Sequence, residues 1–148
     1  MQPAETVELI HRNLDLINSR DAAGTASTFA PGLVVEDVGT GLRVEGRDAY
    51  IEYQEQLQAA FPDLHGEILS ITTEGSRAVV EYVVEGTHAG PLVLPTGTIP
   101  SSGRRVVIRF ASVVELDENG QAATVRRYTN PLELPTQIGV LDASALTP

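Results

Sequence analysis

The spacing of apolar residues changes its period at Pro62, and that change sets the fold class. Before it, Val7, Ile10, Leu14 and Ile17 recur at three- and four-residue steps, which predicts one buried stripe on a helix running from after Pro3 to about Arg20. A short second helix is expected after Asp21, ending before Pro31. Gly46-Arg47-Asp48 opens a third, whose Tyr50, Tyr53, Leu57 and Ala60 or Phe61 share a face. After Pro62 the pattern alternates, predicting strands at about 64–73, 77–88, 104–116 and 122–129, with turns at Glu74-Gly75-Ser76 and Asp117-Glu118-Asn119-Gly120. Gly90 to Gly103 carries Pro91, Pro95, Pro100 and Gly97 and is read as a long loop, a rim or lid at a pocket mouth. Helices first and long strands afterwards predict an α+β chain, with three N-terminal helices packed on a curved antiparallel sheet that encloses a conical pocket. At 148 residues, one domain spanning 1–148 is expected.

Val34-Val35-Glu36-Asp37-Val38-Gly39-Thr40-Gly41 places two adjacent acids in an apolar extended run that leads, through a glycine turn, to Leu42-Arg43-Val44. Alternate side chains of a strand point to opposite faces, so if Val34 and Glu36 face one way, Val35 and Asp37 face the other. One acid then points inward with the valines, where it is a working group or an error of pattern. The other reading is an edge strand with both carboxylates near water.

Composition narrows the chemistry. The chain has no cysteine, and its ten positive charges are all arginines, so thiolate nucleophiles, thiolate metal sites and lysine Schiff bases are excluded. A net charge of −10 argues against a nucleic-acid partner. No apolar run approaches the roughly 20 residues that cross a bilayer, so no membrane partner is expected. The first residues, Met1-Gln2-Pro3-Ala4-Glu5, lack the basic and apolar start of a signal peptide, which makes the cytoplasm the expected location. The three histidines show no ligand spacing, and no metal is expected. His11 lies on the outer flank of the first helix and His65 follows a turn. His88 alternates onto one face with Tyr82, Val84 and Gly86, where Gly86 would leave room for a ligand; the plainer reading is a histidine capping a loop.

The order of elements, with Phe61-Pro62-Asp63-Leu64, Gly86-Thr87-His88-Ala89-Gly90, Gly103-Arg104-Arg105 and Tyr128-Thr129-Asn130-Pro131 followed by Gln137-Ile138-Gly139, resembles the SnoaL-like polyketide cyclases. These belong to the ketosteroid-isomerase-like (nuclear-transport-factor-like) superfamily of cone-shaped α+β barrels. The resemblance implies an intramolecular aldol closure without metal or cofactor, with an aspartate near the end of the last strand as acid/base. Asn130 stands at that position, and an amide cannot take up a proton near neutral pH. It can hold a substrate carbonyl or a water, or simply open the turn into Pro131; Tyr128 keeps its family match. Similarity to the ketosteroid isomerases places the proton-shuttling base at Asp37, but Asn13 and Ser112 stand where that site has its acidic hydrogen-bond donors. A usual steroid isomerase is therefore not expected. A third branch, the epoxide-opening hydrolases and cyclases, would pair Asp37 with a second carboxylate across the pocket, Glu67, unless Glu67 is a solvated strand residue.

The strand 106–115 is apolar on both faces, with Ile108, Phe110, Ser112 and Val114 on one and Val107, Arg109, Ala111 and Val113 on the other. It needs two covers, the helices on the Ser112 side and a second copy on the other, so a homodimer through the outer face is expected. Arg109 would then need a partner such as Glu81 or Glu85. If the faces are exchanged, Arg109 and Arg126 line the pocket. The resulting expectation is a cofactor-independent enzyme acting on an apolar, oxygenated, polyketide-like small molecule. Asp37 is its proton-transfer residue, Glu67 or His88 the second acid/base, and Asn13, Tyr53, Ser112, Tyr128 and Asn130 orient the ligand. The competing expectation is a ligand-binding domain without turnover.

Overall fold

A computed structural model describes residues 2–94 and 96–142. Three helices, α1 (Pro3–Asn18), α2 (Ala22–Ser27) and α3 (Arg47–Ala60), alternate with the hairpin β1 (Phe29–Asp37) and β2 (Arg43–Glu45). Long strands follow: β3 (His65–Glu74), β4 (Arg77–Thr87), β7 (Arg105–Leu116) and β8 (Ala122–Tyr128), with a small hairpin, β5 (Leu92–Leu94) and β6 (Gly97–Ile99), between them. A five-residue helix, α4 (Glu133–Gln137), comes after β8. Local chemistry explains the helix ends. Pro3 opens α1, where a missing N–H costs nothing, and the Asp21 carboxylate caps α2 by accepting from the Gly24 N–H at 2.8 Å.

The sheet runs β2-β1-β8-β7-β4-β3. It departs from the expected antiparallel sheet at one place: β1 and β8 pair in parallel, from Phe29 beside Ala122 to Asp37 beside Arg127. Parallel neighbours need a crossover, and most of the chain supplies it here. The register slips between Phe29 and Val34, where exposed Pro31 and Gly32 cannot continue a regular ladder.

One layer of core joins Ile10 of α1, Tyr50 of α3, Leu33 and Val35 of β1, Val80 of β4 and Val114 of β7. Asn18 fixes α1 to β3 through paired 2.9 Å hydrogen bonds, its amide nitrogen donating to the Gly66 carbonyl and its oxygen accepting the Gly66 N–H. A second cluster, Ala60, Phe61, Leu92, Val106 and Ile138, closes the other end. The segment read as a loop therefore contains a hairpin, because Leu92 and Ile99 pair and turn their side chains onto this cluster. Three-residue strands are too short for an alternating signal. Among the described residues no helix is long and apolar enough to cross a membrane.

Candidate active site

Between the helices and the concave face of the sheet lies a cavity of about 540 Å³. Leu14 and Ile17 of α1 form one wall, Tyr53 and Leu57 of α3 another, and Ile108 and Phe110 of β7 the sheet side. Leu92, Leu94 and Ile99 of the β5–β6 hairpin and Leu134, Ile138 and Val140 around and after α4 line the end where the second cluster packs. Most of the lining is hydrocarbon, so each polar group on it stands out.

Asp37 is the first of these. Strand alternation turns Leu33, Val35 and Asp37 inward, while Glu36 faces out to pair with Arg43. Asp37 ends β1 with 6% of its surface exposed. Its Oδ1 accepts three hydrogen bonds, from the N–H groups of Gly39 (3.0 Å) and Thr40 (3.1 Å) and from the Thr129 hydroxyl (2.6 Å). Oδ2 accepts none among the described residues and lies 3.6 Å from Nη2 of Arg127. One oxygen is anchored by the turn and by β8; the other is left for a ligand.

Arg127 faces it from the adjacent position of the parallel pair. Nη2 donates to the Tyr53 hydroxyl at 3.4 Å, and the guanidinium carbon sits 5.6 Å from the centre of the Tyr53 ring. Burial opposes the arginine charge most strongly, yet the tyrosine oxygens of Tyr50 and Tyr53 and the Asp37 carboxylate outweigh it and raise the pKa above the usual arginine value. The cation is nevertheless poorly satisfied. Its side chain is 13% exposed, and its Nε is buried without an acceptor among the described residues, a state that costs about 1–3 kcal/mol for each unmatched donor.

Two hydroxyls on neighbouring strands complete the polar set. Tyr82 of β4 stacks on Phe110, with ring centres 5.1 Å apart, and burial, with a smaller influence from Tyr50, pushes its phenol pKa up. Ser112 of β7 is buried on the cavity wall. Neither hydroxyl bonds to another described residue, so both are available to a ligand.

Of the residues singled out from sequence, Asp37, Tyr53, Ser112 and Asn130 line this cavity. Asn130 also accepts the Leu132 N–H at 3.0 Å, which opens the turn into α4. The others lie elsewhere. Glu67 has 68% of its side chain exposed and approaches His65 on the outside of β3, because Gly66 and Ile68 take the inward positions. Tyr128 is 49% exposed, since the inward side chains of this last stretch are Val125, Arg127 and Thr129. Asn13 sits in a separate depression of about 290 Å³ and donates to the Thr28 hydroxyl at 2.7 Å. His88 is fully buried, stacked 5.3 Å from Phe61, and its Nδ1 accepts the Ser102 N–H at 3.1 Å and meets the Ser102 hydroxyl at 2.8 Å. It does not line the cavity and instead ties β4 to the segment before β7. Gly86 itself does line the cavity, and a Cβ there would be tight against the Leu64 backbone and the Asp63 carboxylate at 3.3 Å. Arg127 and Thr129 are not among the residues singled out from sequence, while Tyr82, read there as sharing a face with Val84 and Gly86, lines the cavity with them. The apolar Val125 two residues before Arg127 was the signal that set the inward phase of β8.

The comparisons with known proteins agree with this architecture. The SnoaL-like domain model matches residues 10–125. A structure described as a SnoaL-like polyketide cyclase from Jannaschia sp. CCS1 is 25% identical, with TM-score 0.81, over 95% of this chain and 97% of that one. AclR of Streptomyces galilaeus, described as a hydroxylase, is 23% identical with TM-score 0.79 over 95% and 99% of the two chains. A ketosteroid-isomerase-like protein from Catenulispora acidiphila DSM 44928, in complex with trimethylamine, shares the fold at 16% identity and TM-score 0.73, with all of both chains covered. No curated protein matches the sequence. With more than half its length matched by the domain model and a cone of helices and sheet to accompany it, the chain belongs to the SnoaL-like domain family.

Proposed function

We propose that this protein is a small-molecule enzyme of the SnoaL-like cyclase type, in which Asp37 moves a proton on an apolar, oxygenated substrate without a cofactor. The observation that carries this reading is the nearly buried Asp37 carboxylate in a hydrocarbon-lined cavity, with Oδ1 fixed by three donors and Oδ2 accepting no hydrogen bond among the described residues. A base so held loses little orientational freedom when substrate arrives. Tyr53, Tyr82, Ser112 and Asn130 offer hydrogen bonds along the walls to orient the ligand's oxygens. Intramolecular carbon–carbon closure and double-bond migration both begin with such a proton transfer, and the polyketide cyclases among the similar structures favour the former. Comparing wild type with Asp37→Asn by mass spectrometry on a panel of linear and partly cyclised polyketide-like compounds tests it. Product that forms equally fast with both proteins would remove Asp37 from the chemistry.

One observation favours the alternative of a ligand-binding domain without turnover. Among the described residues the other carboxylate on the lining, Glu85, is half-buried and bound to Arg105 at 3.1 Å, so none of them places a second free acid beside Asp37. Tight binding of a panel member with no conversion would select it.

We also infer a homodimer through the outer face of the sheet. Val79, Val107 and Tyr128 are exposed there beside half-buried Val83, Ala111 and Val113, apolar positions interspersed with Glu81, Glu85 and Arg109, and a second copy would cover them.

A further inference from the structure

Arg127 poses a question that its partners do not answer. A guanidinium has five N–H donors in a rigid fork, yet here one nitrogen is buried without an acceptor among the described residues, one makes a long 3.4 Å bond to Tyr53, and the carboxylate opposite stands at 3.6 Å, beyond hydrogen-bond range. Arginine and carboxylate frequently pair through two short parallel bonds, but here Oδ1 is occupied by three other donors and Oδ2, which faces the guanidinium, stops short of a hydrogen bond. This pair is held apart, and both members line the cavity.

We propose that Arg127 binds the carbonyl oxygen of the ligand and receives the negative charge that appears there when Asp37 removes the neighbouring α-proton, so that the cavity takes apolar, enolisable carbonyl compounds. The inference rests on the base role given to Asp37 above. In the step, the α-carbon–hydrogen bond breaks, the proton goes to Oδ2 of Asp37, and the electron pair shifts into the carbonyl to give an enolate. No redox partner is involved. Charge stays matched throughout: Arg127 faces the ionised Asp37 before transfer and the enolate oxygen afterwards, while Asp37 becomes neutral. A buried site with one cation and one mobile negative charge avoids ever holding an unpaired ion in hydrocarbon surroundings. The same arrangement disfavours ligands already carrying a carboxylate at this point, because with Asp37 ionised they would bring a second negative charge beside a single cation.

The test uses the folded full chain and 1,3-diphenylpropane-1,3-dione, an apolar diketone whose enol and enolate absorb differently. In Asp37→Asn the competing carboxylate is gone, and the bound diketone should ionise at a pH lower than in water by about one unit or more, a tenfold gain in enolate. The double variant Asp37→Asn with Arg127→Met should lose that gain, and Asp37→Asn with Arg127→Lys should keep part of it. A bound diketone that titrates in Asp37→Asn as it does in water, a gain that survives Arg127→Met, or no binding of the diketone at all would overturn the proposal. A separate readout, deuterium uptake at the α-carbon of α-tetralone by wild type, reports on Asp37. Enolate capture through Arg127 without deuterium uptake would keep the oxygen site and remove the base; uptake that is unchanged in Arg127→Met would do the reverse.

Discussion

The Thr129 hydroxyl donates to Asp37 Oδ1 at 2.6 Å, joining the two chain ends that leave β1 and β8. It is the shortest of the three bonds that hold this carboxylate. Thr129→Val keeps the shape and removes the donor. Loss of a hydrogen bond to a charged acceptor costs about 1.5–3 kcal/mol of stability, and turnover should fall as the carboxylate loses its fixed orientation, while Thr129→Ser stays near wild type. Steady-state rates of the three proteins on one substrate check this.

Gly39 and Gly41 flank the same turn but tolerate substitution differently. A Cβ on Gly39 would lie 2.0 Å from the Thr129 carbonyl oxygen, whereas Gly41, at φ +79, has open space around it. Gly39→Ala should cost about 3 kcal/mol because backbone must move, and Gly41→Ala about 1 kcal/mol from the left-handed conformation alone. Urea unfolding of both variants measures the difference.

Acid stability should depend on Asp63. Its carboxylate accepts the Thr87 N–H at 2.6 Å and the Thr87 hydroxyl at 2.9 Å, bonds that hold its pKa below the usual value of 3.8, with Arg105 adding a smaller pull. The folded state therefore binds this proton less readily than the unfolded chain, and the stabilisation is complete above 3.8 and is lost as the pH falls through the lower folded value. Asp63→Asn should flatten that part of the stability curve, as followed by thermal melts at stepped pH.

Tyr82 should act at the alkaline end. Burial raises its phenol pKa above 10.0, so the neutral form is favoured in the fold; its stabilisation is complete below 10.0 and is lost as the pH rises towards the folded value. In an ultraviolet titration one tyrosine should resist ionisation until the protein unfolds, and Tyr82→Phe should remove that late component.

The outer face of the sheet gives a solution test. If a second copy covers it, light scattering should report twice the 15.8 kDa chain mass, and Val107→Glu, which places a charge on that face, should return the monomer without moving Asp37.

The fold was legible because its signals are repetitive. The stripe on α1, the aromatic face of α3 and the alternation in β4 and β7 each involve many residues whose burial agrees, so single exceptions do not disturb them. The acid at 37 was legible for the same reason, as its neighbours Leu33 and Val35 fix its side of the strand. What failed depended on one residue at an element's end. Tyr128 is placed on the ligand by a family match, although Val125 sets the opposite phase, and the same phase turns Arg127 inward rather than Arg126. His88 follows β4, where the chain leaves the ladder, so alternation no longer tells which way it points. Asn13 does face the interior, but helical spacing gives a face and not a depth, and it lies toward the wrong end of the cone.

The order of strands carries a consequence for assembly. β1 and β2 reach the rest of the sheet only through β8, and 90 residues of chain separate Asp37 from Arg127. A ribosome-bound chain ending before Ala122 would carry α1, α2, α3 and the β3–β4–β7 meander with its acid-bearing hairpin packed on α3 but paired to no strand of that meander. The facing carboxylate and guanidinium are thus brought together only by the strand that closes the sheet, a contact of long sequence separation of the kind that forms slowly.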